Sequence, residues 1–216
     1  MNFAQTHCSR RTLLKSAVVM GGVAALSHAA PAFALGATDN DIASTPEAVP
    51  PALLKRALDA LNRNAARIPH RDRIAVVDFS TSSARRRLHI VDIGSGRTTS
   101  MLVAHGRGSD PAHTGWLQRF SNQPGSNASS QGAYLASDYY TGQHGHSQRL
   151  IGLDPTNDNA LARAIVIHSA WYAAPEMIPT HRMLGRSEGC FAVGETQLSG
   201  LFGQLGEGRM LYADKV

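Results

Sequence analysis

The sequence predicts a mainly β domain with a few helices, an α+β arrangement. Three observations predict it. Glycine (20) and proline (10) are plentiful while aromatic residues make up only 6% of the chain, a balance that suits a turn-rich β protein better than a helical bundle. One stretch carries helical periodicity, and several short apolar runs bounded by turn residues follow it. A length of 216 residues provides for one core, and 43% hydrophobic against 17% charged residues describes a chain that folds.

The amino terminus reads as an address. Ser9-Arg10-Arg11-Thr12-Leu13-Leu14-Lys15 sets a twin arginine before an uncharged stretch rich in Ala, Val and Gly, the pattern of a signal that exports folded proteins. Ala32-Phe33-Ala34 supplies a small-x-small cleavage site, so residues 1–34 are expected to be removed by the export machinery and the mature chain to reach the periplasm. Removing Arg10, Arg11 and Lys15 from a formal charge of +5 leaves +2. The dense basic run left is Arg85-Arg86-Arg87, without interleaved aromatics, which reads as a solvated strand or turn and argues against a nucleic-acid partner.

Residues 35–51, with Asp39, Asn40, Asp41 and three prolines, read as a flexible leader to a catalytic domain at 52–216. Behind Pro51, Leu54, Leu58 and Leu61 recur at helical spacing, predicting one amphipathic helix that ends before Pro69. Strands are predicted over residues 74–79, 87–92, 98–104, 132–137, 149–153, 164–169 and 209–213. Residues 105–131 form a long irregular region, either surface filler or the walls of a cleft.

Chemistry concentrates near the carboxyl end. Cys8 falls in the discarded segment, which leaves Cys190 as a single thiol in an oxidising compartment where cysteines usually pair. Ile165-Val166-Ile167 lead into His168, placing it at the end of a buried strand with the rigidity a general base requires. Gly189 permits a tight turn beside the sulfur, so that the Gly189 and Cys190 amides are expected to converge as an oxyanion hole. A thiol with a pKa of about 8.5 is a few per cent thiolate at neutral pH, and a nearby imidazole is expected to raise that fraction. The competing reading is a buried, inert cysteine and a satisfied core histidine.

Ile167-His168-Ser169 followed by Ser187-Glu188-Gly189-Cys190 resembles the signature of the YkuD-type L,D-transpeptidase catalytic domain. Phe120-Ser121-Asn122, Pro124-Gly125-Ser126, Ser129-Ser130-Gln131-Gly132 and the stretch from His144-Gly145 to Gly152-Leu153-Asp154 look like its murein L,D-transpeptidase branch, so the likeness runs from about Ile74 to Tyr212. Glu188 stands where many members have a second histidine, and the gap from His168 to Cys190 is longer than usual, with Pro175 and Pro179 in it. The resemblance implies a β-sandwich or barrel with the cysteine in a cleft, acting on peptidoglycan stem peptides. It implies Cys190 as nucleophile, His168 as base and the Ser169 carbonyl as the group that orients the imidazole. A thioester would pass to the amine of a neighbouring stem, to an outer-membrane lipoprotein, or to water as in an L,D-carboxypeptidase.

Arg186 is a candidate partner for a substrate carboxylate, Ser187 a turn or oxyanion residue, and Trp171 with Tyr172 a cleft wall. His105 and His146 are placed near the cleft, and His144-x-His146 is expected to put both rings on one strand face. With Asp138 this raises a zinc-peptidase alternative, but no third ligand has a persuasive spacing, so neither a metal nor a cofactor is expected. A non-catalytic wall-binding protein is the other alternative.

Overall fold

The computed structural model describes residues 48–216; the export signal, its cleavage site and the leader as far as residue 47 lie outside the described residues. Pro50 caps and Pro51 opens helix α1 (Pro51–Arg63), where a fixed φ and a missing N–H are no handicap. Eight strands follow: β1 (Arg73–Asp78), β2 (Leu88–Asp92), β3 (Thr98–Met101), β4 (Gly132–Gly142), β5 (Gly145–Gly152), β6 (Val166–Ser169), β7 (Phe191–Val193) and β8 (Met210–Asp214). A 3-10 turn at Trp171–Ala173, helix α2 (Met177–His181) and helix α3 (Glu195–Leu205) complete the fold. The mainly β expectation holds.

The strands form one sheet in the order β3-β2-β1-β8-β4-β5-β6-β7, antiparallel except at β1–β8 and β6–β7. The sheet closes on itself. The chain leaving β3 at one edge reaches β7 at the other, where the Ala104 amide donates to the Ala192 carbonyl at 2.8 Å. Alternation then sorts the side chains. Ala75 and Val77 of β1 join Leu88, Leu150, Ile167 and Phe191 in the inner core, while Ile74 and Val76 face outward onto α1. Burial of both faces explains why β1 reads as an unbroken apolar run.

Several elements differ from expectation: β7, α2 and α3 were not predicted, β4 runs on to Gly142, β5 begins at Gly145, and the buried face of α1 is shifted. The buried stripe of α1 is Leu53, Ala57, Ala60 and Leu61, with Leu54 and Leu58 only partly buried beside it. The two alanines let the helix axis approach the sheet, which leucines at those positions would prevent. Helix α3 lays Leu198, Leu201 and Leu205 on the inner core, a stripe masked in the sequence by the poor helix formers Gly200 and Gly203.

Leu53→Ala, at a fully buried site, is expected to cost roughly 2–5 kcal/mol and Leu54→Ala clearly less. Urea midpoints of the two variants check the helix register; equal losses would contradict it.

Candidate active site

The parallel pairing of β6 with β7 sets His168 opposite Ala192. Cys190 immediately precedes β7, two residues before Ala192. Val166 and Ile167 are buried, which fixes the strand beneath the ring. His168 itself is 1% exposed, and its Nδ1 lies 2.9 Å from the Ser169 carbonyl oxygen. A carbonyl only accepts, so the proton belongs on Nδ1 and the lone pair on Nε2. Burial lowers the His168 pKa from its ordinary value, the Ser169 carbonyl opposes that shift, and His144 adds to it. This last effect has a geometric source: the His144 ring, from the turn between β4 and β5, stacks on His168 with centroids 4.3 Å apart.

Cys190 is 8% exposed, and its thiol donates to the Ala164 carbonyl at 3.5 Å. Burial is the main influence on its pKa and raises it; the Val166 amide and the Arg163 guanidinium pull the other way. The expectation that an imidazole enlarges the resting thiolate fraction is therefore corrected. Burial disfavours the charged form of both groups, so the thiol shifts up, the imidazole shifts down, and both are neutral between.

The loop carrying the thiol is strapped to the strand-like segment after β3. The Ser187 amide donates to the His105 carbonyl at 2.9 Å, and the Arg107 amide donates to the Ser187 carbonyl at 2.8 Å. Ser187 serves the turn, as its Oγ donates to the Cys190 carbonyl at 2.7 Å and accepts the Gly189 amide at 3.2 Å. That second bond corrects the predicted oxyanion pair, because the Gly189 N–H is already engaged. Gly189 has φ +115°, and a Cβ there would lie 2.7 Å from the Ala128 oxygen. Only glycine satisfies both constraints.

The remaining predicted residues scatter. His105 is no cleft residue: it is 1% exposed, with Nδ1 2.7 Å from Arg87 Nη2 and Nε2 3.5 Å from Asp110. Arg87, read as solvated, is fully buried, donates to the Val103 and Thr81 carbonyls, and has its pKa lowered to about 9 by desolvation. His146 sits beside Ser147, which pairs with His168, so alternation turns it to the opposite face. There it packs edge-on to Tyr139 at 5.4 Å and near Phe202, away from His144, and the expected shared face does not form. Asp138 is ion-paired with Arg149. Arg186 donates to the Asp110 and Pro111 carbonyls and braces a loop. Trp171 is 70% exposed, set edge-on to Tyr172. Tyr172 lies within electrostatic reach of Cys190 and Glu188, and burial above all pushes its hydroxyl up to about 12.

Arg163 escaped the sequence reading as a site residue, and His144 was read there only as a candidate zinc ligand beside His146. Arg163 donates to the Ser121 carbonyl and the Ser126 and Ser130 hydroxyls, pinning the irregular 105–131 region behind the thiol. Ala164, with φ +53°, turns its carbonyl to the sulfur. An Arg-Ala pair before a strand carries no sequence signal for either role.

The site is thus a buried imidazole on β6 and a buried thiol immediately before β7 of a closed sheet. The chain belongs to the L,D-transpeptidase catalytic domain family (YkuD_2), whose match covers residues 46–213. Similar solved structures include an L,D-transpeptidase from Mycobacterium tuberculosis H37Rv, with 11% identity, a TM-score of 0.42, and 66% of this chain and 57% of that one covered. Another is the helical cell shape determining protein Pgp2 from Campylobacter jejuni, with 11% identity, a TM-score of 0.45, and coverage of 77% and 57%. A third is an L,D-transpeptidase from Stackebrandtia nassauensis, with 14% identity, a TM-score of 0.40, and coverage of 74% and 66%. The chain spans less than two thirds of the length of these solved proteins, and family membership rests on the sequence match. A search of curated proteins finds no significant match.

Gly189→Ala is expected to destabilise the protein by roughly 2 kcal/mol or more, from positive φ and overpacking together. Gly200→Ala, in a helix with nothing near its would-be Cβ, should stabilise by up to about 1 kcal/mol. Thermal unfolding of both checks the contrast, and a neutral Gly189→Ala would count against the tight turn.

Proposed function

We propose that this chain is an exported peptidoglycan L,D-transpeptidase that works through a thioester on Cys190. The observation that carries the reading is the His168 Nδ1 contact with the Ser169 carbonyl, on the strand that pairs with the one starting directly after Cys190. Nε2 is then the free base. As a stem peptide enters, the thiol turns from the Ala164 carbonyl and gives its proton to Nε2. The sulfur attacks the carbonyl before the terminal D-alanine of a tetrapeptide stem. With the Gly189 amide bonded to Ser187, the Cys190 amide is the one left to meet the developing oxyanion.

The imidazolium returns its proton to the departing amine, and D-alanine leaves. An amine of a neighbouring stem then resolves the thioester to a 3→3 cross-link; a lipoprotein amine is a second acceptor, and water gives an L,D-carboxypeptidase. Site of action follows from the twin-arginine address, with residues 1–34 removed at the periplasmic face. Trp171, exposed just after His168, is positioned to line the approach.

Incubation of the protein with a tetrapeptide-stem muropeptide, followed by mass analysis, tests this. The expected result is an adduct on Cys190 equal to the muropeptide less D-alanine, absent in Cys190→Ala. D-Alanine release that survives Cys190→Ala would contradict the proposal.

A further inference from the structure

The hairpin of β4 and β5 outruns the strand that carries His168. Pairing of β5 with β6 ends at Ser147 and His168; past that point come His146, Gly145 and the turn Gln143-His144, which Gly145 closes with φ +71°. Residues 141–146 are exposed. Below the tip the hairpin is clamped to α3, because the rings of Tyr139 and His146 pack on Phe202 at 4.9 Å and 5.3 Å, centroid to centroid. A register irregularity between Ala136 and Tyr139 adds twist just before this clamp, the kind of feature that re-aims a strand. The tip is thus aimed and held without help from the His144 side chain.

From this tip the His144 ring lies on the His168 ring, with centroids 4.3 Å apart and planes 22° apart. An exposed residue covers one that is only 1% exposed. The His168 Nδ1 contact with the Ser169 carbonyl fixes one point of the imidazole, but χ2 of a histidine is a broad torsion, and a single bond leaves the ring free to tilt about it. A nearly parallel ring against its face removes that tilt. The stack also excludes a proton relay between the two, because such rings hold their N–H bonds side by side, and His144 Nε2 is already met by the Gln143 amide at 3.1 Å.

We propose that His144 is a positioning residue for the His168 base, its ring fixing the plane in which the imidazole receives the Cys190 proton. This rests on the thioester reading above and adds a residue to it. His144 forms and breaks no bond. Any flat aromatic ring at the tip is enough for the role, and a side chain without one is not.

His144→Ala and His144→Phe in the full chain make the test. For D-alanine release from a tetrapeptide-stem muropeptide, His144→Ala is expected to lose about tenfold in kcat, the size of effect that one aromatic contact supplies, with KM little changed. His144→Phe should recover most of that loss. The His168 ring protons, assigned by their absence in His168→Gln, give a readout independent of activity. The stacked ring should shift them upfield in the wild-type protein and in His144→Phe, and the shift should vanish in His144→Ala. A His144 that carried a proton or touched substrate would leave His144→Phe as poor as His144→Ala, and a merely structural one would lower the melting temperature while kcat of the folded protein stayed unchanged. Either result overturns the proposal, as does a His168 shift that is the same in the wild-type protein and His144→Ala. A wild-type protein that forms no adduct on Cys190 overturns the thioester reading and the role with it, even where the His168 shift shows the stack.

Discussion

Everything at the site depends on the parallel register of β6 against β7. That register sets the His168 strand beside the one that begins directly after Cys190, joining residues more than twenty positions apart. It is held from the far side of the sheet, since Ala104 bridges to Ala192 and closes the fold. A slip of one residue would turn the imidazole into the inner core beside Phe191. The short strands involved, four and three residues, have few bonds of their own, so sheet closure supplies the definition they lack.

Burial is the second determinant, and it acts in one direction on both reacting groups. Desolvation favours the neutral form of the thiol and of the imidazole alike, with Nδ1 committed to Ser169. Under the proposed mechanism, proton transfer then belongs to the moment of attack and not to the resting state. Beside the loop lies a second polar cluster of Arg87, His105 and Asp110, buried and bonded among themselves. Its bonds to Val103 and Thr81 satisfy a charge that would be costly to leave alone, and the His105 backbone carries Ser187. The cluster thus props the loop that carries Cys190.

How much of this could be read in advance follows from the range of each interaction. Periodicity and turn residues are local, so β1, β2, α1 and the His168 strand were legible; α3 was hidden by its glycines, and the stripe of α1 was set one residue off because alanines gave no apolar signal. Cys190, His168 and the Ser169 carbonyl came through motif and resemblance, and of these the structure shows the contact of His168 with the Ser169 carbonyl. The same reading misplaced His105, His146 and Arg87, whose burial or facing depends on which strand lies across from them. The stacking of His144 and the Arg163 staple join residues far apart in the chain, and no spacing rule reports them.

The neutral thiol–imidazole pair is tested most directly by the rate at which iodoacetamide alkylates Cys190 in the folded protein as pH is varied. The account predicts a single rise with a midpoint above the ordinary thiol value of about 8.5, because burial raises the Cys190 pKa. A plateau of full reactivity already reached below pH 7 would instead reveal a resting thiolate beside an imidazolium, and would contradict it.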